Sequence, residues 1–122
     1  MLKVYLYQGC STCRNAVKWL KQHDIPFEER AIRETPPSLA ELRSVLDARA
    51  GNLRAIFNTS GLDYRALGLS EKLPTMPIDD ALKLLTSNGN LVKRPFVIDT
   101  TKAIHLVGFK EPEWAVALKP ES

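Results

Sequence analysis

The sequence predicts an α/β fold: a small mixed β-sheet flanked by helices, carrying a helical insert at about 36–88. Three observations predict it. Short apolar runs with strand character stand near both ends of the chain, a β-α-β pattern opens it, and a long middle stretch repeats its apolar residues at helical spacing between prolines. At 122 residues and 44% hydrophobic content, the chain suits one domain, 1–122, with a real core. Charged residues make up 25%, without low complexity or long same-sign runs, so a disordered chain is excluded.

Lys3 to Tyr7 is a short apolar and aromatic run ended by Gln8-Gly9, and reads as a buried strand. From Ser11 to His23, Ala16, Val17 and Leu20 lie at helical spacing until Asp24-Ile25-Pro26 stops the pattern. Phe27 to Ile32 reads as a second strand, so the opening is a βαβ unit with a parallel pair. After Thr35-Pro36-Pro37, Ser38 and Glu41 match a capping box that starts a helix through Leu39, Leu42, Val45 and Leu46. Leu53 to Phe57, Leu62 to Leu67 and Ile78 to Leu85 add three more amphipathic pieces. Beyond Asn88-Gly89-Asn90, Pro95 to Asp99 reads as a strand, Thr100-Thr101-Lys102 as a turn and Ala103 to Val107 as a returning strand. Pro112 to Leu118 closes the chain as a helix with proline in its first turn, and Lys119 to Ser122 reads as a tail.

The formal charge of +3 comes from cations scattered along the chain with no dense stripe or interleaved aromatics, so direct nucleic-acid binding is not expected. The start falls short of a signal-peptide core, and no stretch approaches the roughly 18 apolar residues of a membrane span. A cytoplasmic protein, free of any membrane, is the expectation. In that compartment two cysteines are not expected to form a structural staple.

Those two are Cys10 and Cys13. The thiolate is the reactive form of cysteine, and the first turn of a helix supplies unsatisfied N–H groups and a positive dipole end that favour it. Cys10 sits at such a mouth. Arg14 adds a cation, and Ser11 and Thr12 add hydroxyl donors, all expected to lower the thiol pKa. The three-residue offset returns Cys13 to the same side of the helix, where it can close a short disulfide with Cys10. This spacing after a strand signals redox chemistry. It also makes half of many zinc sites, but the other half is missing: His23 and His105 lie far apart with no paired spacing, so no metal is expected. Trp19 and Trp114 read as packing aromatics.

The run Tyr7-Gln8-Gly9-Cys10-Ser11-Thr12-Cys13-Arg14-Asn15-Ala16, the acidic stretch before Thr35-Pro36-Pro37, Leu67-Gly68-Leu69 and Lys93-Arg94-Pro95-Phe96 together resemble the bacterial arsenate reductase (ArsC) family, which includes the Spx and MgsR type regulators. The resemblance covers about residues 3 to 118. It implies a thioredoxin-like, glutaredoxin-like fold with a helical insert, Cys10 as nucleophile, Pro95 as a cis-proline facing it, and Arg94 as the arginine that holds an oxyanion by a forked contact. Arsenate reductases resemble one another in placing three arginines around the nucleophile. Here only Arg94 matches; Asn58 stands at the first position with Arg54 one turn earlier, and Lys110 is the best offer at the third. Members of that type usually carry a hydroxyl residue where Cys13 stands, so the second thiol is closer to the regulator branch.

Two functions follow from the resemblance. The first is a thiol–disulfide oxidoreductase with nucleophilic Cys10 and resolving Cys13, arsenate being a candidate substrate. It would hold no bound cofactor and would draw electrons from glutathione with a glutaredoxin, or from thioredoxin. The second is an Spx-type redox-sensing regulator that contacts the C-terminal domain of the RNA polymerase α-subunit.

Overall fold

The computed structural model describes residues 1–99 and 101–118. Thr100 of the expected turn and the expected tail Lys119 to Ser122 lie outside the described residues. The chain divides into two compact units, one built from Met1–Ala31 and the segment beginning at Arg94, the other from Ile32–Lys93.

The first unit holds a four-stranded sheet of order β2-β1-β3-β4. Its strands are β1 (Leu2–Leu6), β2 (Phe27–Ala31), β3 (Phe96–Asp99) and β4 (Ile104–Val107). β1 and β2 run parallel through the crossover helix α1 (Ser11–Gln22), with Leu2 opposite Phe27 and Leu6 opposite Ala31. β3 pairs antiparallel with β1 and with β4, so Val97 stands between Val4 and Leu106. The turn before β4 bends through Ala103 at φ 54°, and this left-handed residue delays the strand by one position from the expected start.

One face of α1 is apolar because Cys13, Ala16, Trp19 and Leu20 recur at helical spacing. These side chains join Val4, Leu6, Val97, Leu106 and Trp114 in a single core cluster. Trp114 comes from the closing helix α6 (Glu111–Leu118), is fully buried, and donates its indole N–H to the Gly108 carbonyl at 3.0 Å. Trp19 anchors α6 from the other side, donating to Glu111 Oε1 at 3.2 Å while its ring meets Trp114 edge-on. Both tryptophans are packing residues.

The second unit is helical: α2 (Leu39–Ala48), α3 (Leu62–Ala66), α4 (Leu69–Lys72) and α5 (Ile78–Ser87), joined by short 3₁₀ turns. The Ser38–Glu41 capping box is formed in both directions, starting α2. Leu42, Val45 and Leu46 of α2 are buried, as are Ala81, Leu82 and Leu85 of α5, and the two helices pack together. The expected piece from Leu53 to Phe57 is only a 3₁₀ turn, Leu53–Ile56, because Phe57 leaves the helical region to bridge Val92. Gly68, at φ 63°, separates α3 from α4, a short helix the sequence pattern did not separate. At Gly89 any side chain would strike the Ile32 carbonyl, since a Cβ there would lie 1.8 Å from that oxygen. Asn88 and Asn90 flank it and donate their amides to Asp63 at 3.0 and 3.4 Å.

Candidate active site

β1 ends at Leu6, and the chain turns through Tyr7-Gln8-Gly9 to deliver Cys10 to the N-cap of α1. The turn is closed by the Cys10 N–H, which donates to the Tyr7 carbonyl at 3.0 Å. Cys10 has extended dihedrals, φ −93° and ψ 117°, and its Sγ accepts the Cys13 N–H at 3.4 Å, satisfying one of the orphan donors of the first helical turn. Sulfur serves as the capping atom.

Cys10 is half-buried. Its partial burial pushes the thiol pKa up, but the Cys13 amide, the Cys13 thiol and the guanidinium of Arg94 outweigh it, and the net result lies below the ordinary thiol value. Cys13 behaves oppositely. At 1% exposure it is pushed up to about 12 by burial first, and then by the hydrogen bond and charge of Cys10 beside it. Both thiols are free. A cavity of about 170 Å³ walled in part by Leu6, Tyr7 and Val17 borders Cys13.

Arg94 reaches Cys10 from two residues before β3, where the Arg94–Pro95 peptide bond is cis. Pro95 is buried, and its carbonyl accepts the Gly108 N–H at 2.9 Å, tying the segment to the end of β4. Arg14 points elsewhere: its Nη1 donates to the Gln8 carbonyl at 2.8 Å, so this cation clamps the turn before Cys10 instead of facing the sulfur. Ser11 and Thr12 are exposed on the first turn of α1, and neither is among the groups that shift the Cys10 thiol. Their peptide N–H groups remain at the helix mouth.

The structure adds one residue that the sequence did not single out. The Arg94 guanidinium lies over the Tyr7 ring, its carbon 5.1 Å from the centroid. A tyrosine at the end of a strand, three residues before the cysteine, was the available signal. Among the more distant candidates, Asn58 donates its amide to the Asn90 carbonyl at 3.3 Å, Arg54 is exposed on its 3₁₀ turn, and Lys110 is exposed at the start of α6. The His23 ring meets the Trp19 ring at a tilt of 47°, with centroids 4.4 Å apart. Among the described residues, no three His, Cys, Asp or Glu side chains come together to hold a metal ion, and no helix is long and apolar enough to cross a membrane.

A thiol capping the helix that follows β1, a second thiol one turn deeper, and a cis peptide bond before an inner strand define a thioredoxin-like protein with a Cys-x-x-Cys site. The chain belongs to the ArsC family, whose family model matches residues 5–117. It is 45% identical over 113 residues to the uncharacterized protein YusI of Bacillus subtilis, covering 93% of this chain and 94% of that one. It is 34% identical to the global transcriptional regulator Spx of Enterococcus faecalis, covering 93% of this chain and 83% of the regulator. The crystal structure of a possible arsenate reductase from Streptococcus mutans superposes with a TM-score of 0.83 at 37% identity, covering 90% of this chain and 92% of that one.

Proposed function

We propose that the protein is a thiol–disulfide oxidoreductase of the ArsC type in which Cys10 attacks and Cys13 resolves, with arsenate as a substrate. The single observation that carries this reading is the opposed pair at the mouth of α1: a half-exposed thiol lowered by Cys13 and Arg94, and a buried thiol held protonated beside it. The Cys10 thiolate attacks arsenic(V), forming a sulfur–arsenic bond as a hydroxyl leaves with a proton as water. The anion sits at the N–H groups of the helix mouth, the place where helices bind anions, with Arg94 above it. Once Cys10 is bonded it carries no charge, so the two contributions of Cys10 that raise Cys13 are gone. The Cys13 thiol then loses its proton to solvent and attacks Cys10 Sγ. The Cys10–Cys13 disulfide forms, and the sulfur–arsenic pair of electrons stays on arsenic, which departs as arsenic(III). Glutathione with a glutaredoxin, or thioredoxin, returns two electrons to the disulfide.

Arsenate-dependent oxidation of such a reductant in the cytoplasmic compartment's redox range tests the reading. The wild type should turn over and Cys10→Ala should not; equal rates for the two would overturn it. The identity to Spx supports a second reading, a redox-switched contact with the RNA polymerase α-subunit. Failure to retain polymerase subunits under both oxidising and reducing conditions would remove it.

A further inference from the structure

We infer that Tyr7 is the positioning residue of this site, holding the Arg94 guanidinium over Cys10 through the face of its ring. The inference rests on the proposed role of Cys10 as nucleophile and adds the group that makes Arg94 effective. Arg94 is half-buried and has a long flexible stem, so its charge acts on one sulfur only if something fixes the planar head. Tyr7 supplies that platform. The guanidinium carbon stands 5.1 Å from the ring centroid, within the distance at which a cation is drawn to an aromatic face. The same residue fixes the other half of the pair, because its carbonyl accepts the Cys10 N–H at 3.0 Å. Sulfur and cation are thus referred to one residue, one through the main chain and the other through the ring.

Gly9 explains how the ring comes to lie there. A Cβ at position 9 would fall 2.5 Å from Tyr7 Cε2 and 2.8 Å from Cζ, so the ring occupies the space that a side chain at Gly9 would need. Gly9 is not among the left-handed glycines, and the requirement for glycine here is contact with the ring rather than backbone conformation. Arg14 does not substitute for Arg94, being held on the Gln8 carbonyl. The charged and titratable groups that act on Cys10 are Arg94 and Cys13.

The pH profile of Cys10 alkylation in the Cys13→Ser background tests this directly. Tyr7→Leu should move the midpoint upward by roughly half a pH unit, because a cation–π contact at a partly exposed site is worth that much. Tyr7→Phe, which keeps the ring face, should restore the parental midpoint. Gly9→Ala, which pushes the ring aside without touching it chemically, should shift the midpoint in the same direction as Tyr7→Leu. In an Arg94→Ala background, Tyr7→Leu should add nothing further, whereas a shift equal to that in the parent would overturn the inference, as would a Tyr7→Phe shift as large as that of Tyr7→Leu. Near-ultraviolet circular dichroism of the two buried tryptophans confirms that each variant is folded. A low parental midpoint that Tyr7→Leu leaves in place sinks the role of Tyr7 alone; an ordinary parental midpoint sinks both it and the nucleophile.

Discussion

The two ends of the sheet each hold an acid below its usual pKa, and they do so in different ways. At the end where β1 stops and β3 starts, Cys10 is lowered by the Cys13 amide and by a cation brought in from Arg94. At the opposite end, Asp99 accepts the Thr101 hydroxyl at 2.7 Å and the Thr101 N–H at 3.1 Å, with the Met1 ammonium 3.8 Å away, and its carboxyl also lies below the ordinary value, chiefly through Thr101. Asp99 is 4% exposed, and its hydrogen-bonding partner Thr101 stands two residues along the same chain. Cys10 is open to solvent on one side and takes its cation from the segment that leads into β3. Fixed, local donors make an anion that holds a turn together. A partly open cap with a long cationic arm makes an anion that can react.

Cys10→Ser gives the largest expected effect at the reactive end, loss of turnover to background with the fold intact, measured as arsenate-dependent reductant oxidation. Arg94→Ala should raise the Cys10 alkylation midpoint by about one pH unit, the lower range for removing an adjacent opposite charge. A midpoint that did not move would mean that the helix mouth alone holds the thiolate. The structural end should answer in stability instead. Asp99→Asn should cost about 1.5–3 kcal/mol at pH 7, the net worth of hydrogen bonds to a charged group, with no change in alkylation at Cys10. Because the folded carboxyl is lowered, its contribution is complete above the unfolded value near ~3.9 and is lost as pH falls through the folded value. Urea midpoints at pH 7 and in acid should therefore converge between Asp99→Asn and wild type as pH falls.

Much of this architecture was legible because it is carried by local patterns. The α1 stripe of Ala16 and Leu20, the capping box at Ser38 and the apolar runs of β1 and β3 each state their structure over a few residues. The insert was less legible past Leu53, where pieces too short to show a helical period are separated by Gly68 and closed by the Phe57–Val92 bridge between residues distant in sequence. Within the site, the order of Cys10, Cys13 and Arg94 could be read from spacing and family pattern. The destination of Arg14 could not, since a flexible cation chooses between a sulfur and a carbonyl by distances that sequence does not encode. Tyr7 was missed for the same reason: its ring acts on a residue 87 positions away, and only the pairing of β1 with β3 brings them together.

The aromatic nest of α1 and α6 has a practical consequence. The chain contains two tryptophans, and both belong to the same buried cluster as Cys13. Trp19 also rides on the helix that carries both sulfurs. The protein therefore holds a native optical gauge beside its thiols, and the colour and brightness of indole emission offer a label-free record of how the pair is oxidised and reduced over time.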